Sequence, residues 1–331
     1  MTPLLEIKNL KTQFSTEDGD FLAVDNISFE LEKGKTLGIV GESGCGKSVT
    51  SLSILRLIQK PGKIVGGEVL FKGQDLLKLS DSEMRKYRGS KISMIFQEPM
   101  TSLNPVFTVG QQIDEVYAVH FPTLRRAERR ERCIDMLKKV GIPAPEKRFD
   151  DYPHQLSGGM RQRVMIAIAM ACSPELLIAD EPTTALDVTI QAQILDLMRN
   201  MKNEMGGTLI LITHDLGVVA EMCDEVAVMY AGKIIEHGSV DDIFYRPRHP
   251  YTRGLLDSIP HFETGKKLES LKTIPGMVPH LLKLPRGCRF QDRCFKVQPT
   301  CHEREPHLGT GPHPVACFFP IDSQKTEILH V

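Results

Sequence analysis

The chain has 331 residues, 41% of them hydrophobic and 25% charged, which excludes disordered and fibrous classes and leaves room for about two globular domains. Lys plus Arg total 41 against 42 Asp plus Glu, a net of −1, so the chain as a whole exerts no pull on nucleic acid or acidic lipid. The longest uncharged apolar run, Val164 to Cys172, is well short of the ~20 residues a membrane helix needs, and the charged start (Glu6, Lys8) does not read as a signal peptide. A cytosolic protein is expected.

In chain order, Leu4 to Leu10 alternates loosely as a strand, and a polar turn follows at Thr16 to Asp20. Phe21 to Leu31 alternates again, and Glu32-Lys33-Gly34-Lys35 reads as a hairpin turn. Thr36 to Val40 is a short apolar run that ends at a glycine-rich loop, and Ser48 to Leu57 has helical spacing ahead of Pro61-Gly62. Glu68 to Phe71 and Ile92 to Phe96 are further strands. Helix formers dominate from Gln111 to Val140, and the mixed charges of Leu124 to Arg132 predict a solvated helix face, because Glu128 and Glu131 interrupt the arginines. Leu176 to Ala179 and Thr208 to Ile212 return as buried strands, with helices at about 188–204 and 216–222. Strands alternating with helices predict a largely parallel sheet covered on both faces. From about residue 245 prolines recur, which predicts a small loop-rich domain at 245–331.

Three segments carry chemistry. Gly41-Glu42-Ser43-Gly44-Cys45-Gly46-Lys47-Ser48 fits G-x-x-x-x-G-K-[ST], follows a strand and opens a helix. Its glycines let the backbone wrap phosphate, Lys47 is placed for the β/γ-phosphates and Ser48 for Mg²⁺, with Cys45 a passenger. The apolar run Leu176 to Ala179 ends in Asp180, placed for the Mg²⁺ shell, and Glu181, expected to point the other way along an extended backbone as a base for water. Ser157-Gly158-Gly159 opens a helix and offers a second anion-binding N-terminus. One nucleotide cannot occupy two distant anion sites of one chain; two chains facing head to tail would bring them together.

Taken together, these motifs, in this order and spacing over roughly residues 4–240, resemble the ABC transporter ATPases. The resemblance implies an α/β P-loop core with a RecA-like, mostly parallel sheet, an antiparallel β subdomain and a helical subdomain at about 98–163, within a nucleotide-binding domain at 1–244. It implies that Gly41 to Ser48 and Val49 bind ATP, that Ser157, Gly158 and Gly159 cap the ATP of a partner, and that Gln97 is the Q-loop residue touching Mg²⁺. It further implies Asp187 as the D-loop residue, His214 as the switch histidine, Lys47 and Glu181 in catalysis, and Phe14, with Phe21 nearby, as the aromatic that stacks on adenine. Position 160 is Met where the commonest signature has Gln.

Met94 to Pro105, Tyr152 to Leu156 and Arg248 to Thr252 resemble one subgroup, the ATPase subunits of bacterial oligopeptide/dipeptide importers, in their D-type form. That likeness implies a second, different ATPase subunit, two membrane-spanning permease subunits and an extracytoplasmic peptide-binding protein, with no nucleic-acid partner and a peripheral place on the cytoplasmic face of the inner membrane. A coupling helix would dock on Pro99 to about Val119, where Met100, Leu103, Val106 and Phe107 are equally readable as local core. The contrasting reading is a soluble ABC ATPase with a metal cluster acting on ribosomes or nucleic acid; a binding-only regulator is a third.

Of the eight cysteines, Cys288, Cys294, Cys301 and Cys317 crowd together as C-x5-C-x6-C-x15-C, without the tight pairs of structural zinc. The subgroup resemblance implies a [4Fe–4S] cluster on these thiolates, with zinc (joined by His302 or His313) or free thiols as alternatives. Arg286, Arg289 and Arg293 are read as offsetting the cluster's charge.

Overall fold

The computed structural model describes residues 2–97, 102–184, 186–259 and 273–322. Among the described residues ten strands run in chain order: β1 (Leu5–Thr16), β2 (Gly19–Leu31), β3 (Thr36–Val40), β4 (Gly62–Phe71), β5 (Gln74–Asp75), β6 (Ile92–Ile95), β7 (Leu176–Asp180), β8 (Thr208–Ile212), β9 (Glu225–Tyr230) and β10 (Lys233–Ser239). The chain forms two compact units, one of residues 1–31, 36–77 and 212–331, the other of 32–35 and 78–211.

In the first unit an antiparallel sheet runs β2-β1-β4-β5. β1 buries Leu5 and Ile7, then Leu10 and Thr12. The change of phase is made at Asn9, which is left-handed (φ 49°) beside a register shift between Ile7 and Leu10. Glu32 to Lys35 does turn, with Gly34 at φ 84°, but it is no hairpin: β2 pairs with β1, whereas β3 pairs in parallel with β9. β3 is buried along its whole length, as the run TLGIV requires of an interior parallel strand. β9 and β10, absent from the sequence reading, form an antiparallel hairpin whose turn, Ala231-Gly232, has φ of 44° and 86°. Alanine is a poor residue for that turn, so the usual Asn-Gly or Asp-Gly cue is missing.

Among its described residues the segment after 245 has helices Pro250–Asp257 and Pro299–Glu303, and otherwise short turns. It packs onto the first unit's core: Tyr251, Leu256, Phe290 and Ala316 share one apolar cluster with Val40, Val226, Val228 and Tyr230. The stretch 314–316 runs beside β10, with the His237 N–H donating to Pro314 O (3.1 Å) and the Ala316 N–H to Ile235 O (2.7 Å).

In the second unit β6 and β7 pair in parallel, Ile92 with Leu176 through Ile95 with Ala179, and β8 follows β7 in the strand order. The long helical stretch expected from Gln111 to Val140 is two helices, Val109–His120 and Arg126–Lys139, broken at Phe121-Pro122. Thr108 and Gln111 form a capping box at the first. The arginine-rich face is paired and solvated: Arg129 binds Asp114 (2.7 Å) and Arg125 binds Glu128 (3.0 Å).

Candidate functional site: a phosphate loop and an acidic strand end

The loop from β3 into helix Lys47–Ile54 has the backbone its glycines predict. Gly46 sits at φ 104°, and a Cβ there would meet Ala23 O at 2.4 Å; at Gly41, φ 151°, it would meet Met229 O at 2.2 Å. Gly44, at φ 77°, faces open space. Lys47 is buried and folds onto the loop itself, its Nζ donating to Gly41 O (2.7 Å) and Glu42 O (3.1 Å). Ser48 and Val49 begin the helix half-exposed, and Ser43 and Gly44 are exposed. The Cys45 side chain is fully buried, and burial raises its thiol pKa.

Glu42 was expected only as a phosphate-loop residue. Its carboxylate is instead gripped by the segment after 245. Arg293 binds it through two hydrogen bonds (2.6 and 2.9 Å), and the Glu42 N–H donates to the Tyr251 hydroxyl (2.9 Å). Sequence reasoning missed Tyr251, although its segment, Arg248 to Thr252, stood out as a likeness to the importer subgroup. His214 is exposed at the end of the β8 segment and lines one cavity with Val40, Gly41, Glu42, Leu255 and Ile259. Phe14 and Phe21, offered as rival adenine platforms, are cross-strand neighbours stacked on each other with centroids 5.9 Å apart.

In the second unit, β7 carries Asp180 buried at its end. Glu181 does not continue the extended backbone: it is left-handed (φ 47°), because the chain turns at once, the Thr184 N–H donating to Glu181 O (3.2 Å). That turn aims the Glu181 carboxylate sideways, where Gln97 Nε2 and Thr184 Oγ1 both donate to it at 3.0 Å. Ser157 caps helix Gly158–Met170 by accepting from the Met160 N–H (3.4 Å). Ser157 and Gly158 are exposed, and a Cβ on Gly158 would meet nothing within 4 Å. Gly159 is closer packed, against Ile190. Asp187 caps the helix Val188–Met205, accepting from the Ile190 N–H (2.9 Å). Of the expected docking residues, Val106 and Phe107 are exposed, Leu103 is buried core, and Pro99 and Met100 lie outside the described residues.

Cys288, Cys294, Cys301 and Cys317 line a single small cavity with Phe290, Phe318 and Phe319. All four are free thiols. Burial, reinforced by the neighbouring thiols, raises Cys288 to about 11, so it is protonated at neutral pH. Four thiols without a competing carboxylate suit a thiophilic centre, although among the described residues no three His, Cys, Asp or Glu side chains stand as a group ready to hold a metal ion. The arginines do not serve that cavity as expected. Arg289 pairs with Asp25 and Glu305, Arg293 pairs with Glu42, and Arg286 is exposed. His313 is engaged with Glu236 at 2.7 Å.

A glycine-lined phosphate loop between a buried strand and a helix, an acidic strand end and an exposed Ser-Gly-Gly helix start define an ABC-type P-loop ATPase. Residues 24–184 match the ABC transporter family, and residues 235–301 match the oligopeptide/dipeptide transporter C-terminal region. The chain is 54% identical to the oligopeptide transport ATP-binding protein OppD of Bacillus subtilis, over 93% of this chain and 86% of that one. It is 54% identical to a probable peptide ABC transporter ATP-binding protein, y4tR, of Sinorhizobium fredii, over 95% and 94%. Among solved structures, the ATP-binding cassette MJ0796 bound to ADP and Pi matches with TM-score 0.65 at 29% identity, covering 71% of this chain and 98% of that one. The chain therefore belongs to the ATP-binding proteins of the oligopeptide/dipeptide ABC transporters. Among the described residues no helix is long and apolar enough to cross a membrane.

Proposed function

We propose that this chain hydrolyses ATP to drive import of di- and oligopeptides, as a peripheral subunit on the cytoplasmic face of the inner membrane. Its nucleotide-binding domain is 1–244 and its extension 245–331. It works with a second, different ATPase subunit, beneath two permease subunits fed by an extracytoplasmic peptide-binding protein. Magnesium-bound ATP is the substrate. Gly41 to Val49 wrap its phosphates, Lys47 exchanges its loop carbonyls for phosphate oxygens, and Phe14 flanks the base. Ser48, Asp180 and Gln97 hold the magnesium, Glu181 polarises the attacking water and His214 holds it in line. Ser157, Gly158 and Gly159 cap the partner's nucleotide, and Asp187 signals across the pair. The exposure of that helix start, with open space at Gly158, supports capping from outside the chain.

The observation that carries the hydrolytic reading is the carboxylate of Glu181, aimed by its left-handed backbone and held by Gln97 and Thr184. Glu181→Gln keeps the shape and the hydrogen bonding but not the basicity. Turnover should fall by about 10²–10⁴-fold while ATP still binds. A variant that hydrolyses ATP at the normal rate would refute the assignment.

The four cysteines of the extension are proposed to hold a [4Fe–4S] cluster, with zinc the competing occupant. Their convergence on one cavity supports this. The centre would supply cross-linking of a loop-rich segment, and each thiol must surrender its proton to ligate it.

A further inference from the structure

Glu42 has every polar group engaged from within the chain. Its N–H donates to the Tyr251 hydroxyl (2.9 Å), its carbonyl accepts from Lys47 (3.1 Å), and its carboxylate oxygens accept from Arg293 at 2.6 and 2.9 Å. Two of these three partners come from beyond residue 245. The Arg293 side chain is only 4% exposed. Its Nε donates to Pro275 O (3.0 Å), and its guanidinium lies over the rings of Tyr230 and Phe290, 5.8 and 6.0 Å from their centroids. Tyr251 is fully buried and packs edge-on against Tyr230, with centroids 4.7 Å apart. Both groups are therefore fixed by their surroundings, and it is the Glu42 carboxylate, one-third exposed, that is held by them.

The electrostatic consequence is direct. A carboxylate on a loop that must receive polyphosphate opposes the ligand, and a bidentate guanidinium offsets its charge. The same residue's carbonyl is one of two that hold the phosphate-binding lysine. We propose that Arg293 and Tyr251 are positioning residues of the phosphate loop, through which the C-terminal extension sets nucleotide affinity by holding Glu42. This rests on the reading of Gly41 to Ser48 as the ATP phosphate site.

The test uses the full chain and the non-hydrolysable ATP analogue AMP-PNP with Mg²⁺, titrated by calorimetry. Arg293→Gln leaves Glu42 uncompensated and should weaken binding about tenfold. Glu42→Gln removes the opposing charge and should weaken binding by less than Arg293→Gln does. The pair Glu42→Gln/Arg293→Gln should recover most of the loss, a result that mere unfolding of the extension cannot give. Tyr251→Phe deletes one hydroxyl without changing the packing and should weaken binding about threefold. In the assembled transporter the Arg293→Gln loss should fall in KM for ATP with kcat kept, since Arg293 touches no reacting atom. Unchanged affinity in Arg293→Gln and Tyr251→Phe overturns the proposal, as does a double variant no better than Arg293→Gln alone. Lys47→Ala separates the two readings: if it binds the analogue normally, the phosphate-site reading itself has failed.

Discussion

Glu236 offers the sharpest prediction about stability. It lies on β10 with no exposed surface, yet it is a carboxylate. It is tolerated because three donors converge on it: the Arg248 N–H (2.6 Å) and His313 Nε2 (2.7 Å) on one oxygen, and the His249 N–H (2.9 Å) on the other. Glu236→Ala strands two backbone donors and a histidine. An orphaned buried donor costs about 1–3 kcal/mol, so three sum to about 3–9 kcal/mol. At roughly 2 °C per kcal/mol for a chain of this size, melting should fall by about 6–18 °C. Circular dichroism measures the melt, and hydrogen exchange at Arg248 and His249 locates the damage. Glu236→Gln, which keeps one accepting oxygen, should fall between wild type and Glu236→Ala. If Glu236→Ala melts within about 1 °C of wild type and exchange at those two amides is unchanged, the accounting of donors is refuted.

Two further outcomes are expected. Gly46→Ala places a methyl group 2.4 Å from Ala23 O and should abolish nucleotide binding and lower stability, whereas Gly44→Ala, with nothing within 4 Å, bears only the left-handed strain of about 1–2 kcal/mol; equal melting temperatures for the two variants would contradict this. Anaerobically purified protein should contain iron and acid-labile sulfide and show a brown visible spectrum that is lost when Cys288 and Cys301 are both replaced by Ser; a colourless protein with one zinc per chain would refute the iron–sulfur assignment.

What the sequence made legible was local. The phosphate loop is one contiguous segment whose glycines are demanded by its own backbone, and β3 and β7 declare themselves as short apolar runs ending at the glycine-rich loop and the acidic pair. The strand ending in Asp180 was visible, but the reversal at Glu181 was not, since nothing in Asp-Glu-Pro-Thr marks a left-handed glutamate. The β9–β10 hairpin went unread because Ala231 stands where a turn residue with a clear preference would sit. Leu103 read equally as a docking residue or as core, because an apolar side chain in a loop carries no mark of which way it faces; it is core. The larger failure concerned the arginines around the cysteines. Proximity in sequence suggested that Arg289 and Arg293 served the thiols, while their carboxylate partners, Asp25 and Glu42, lie 264 and 251 positions away. Pairings over that distance are set by the fold as a whole. The extension is loop-rich and yet contributes to the core: Phe290 and Tyr251 enter the apolar cluster around Tyr230.

The Arg293–Glu42 separation has a consequence for how the protein is made. Glu42 leaves the ribosome 251 residues before the arginine that grips it. At about 5–20 residues per second, that is on the order of 10–50 s of synthesis during which the phosphate loop exists without its clamp. Asp25 waits similarly for Arg289, and Glu236 for His313. The growing chain thus carries acidic groups that meet their last partners only with residues 289–313, and a ribosome stalled before residue 289 would display a cassette with its catalytic motifs synthesised but its first unit electrostatically unfinished.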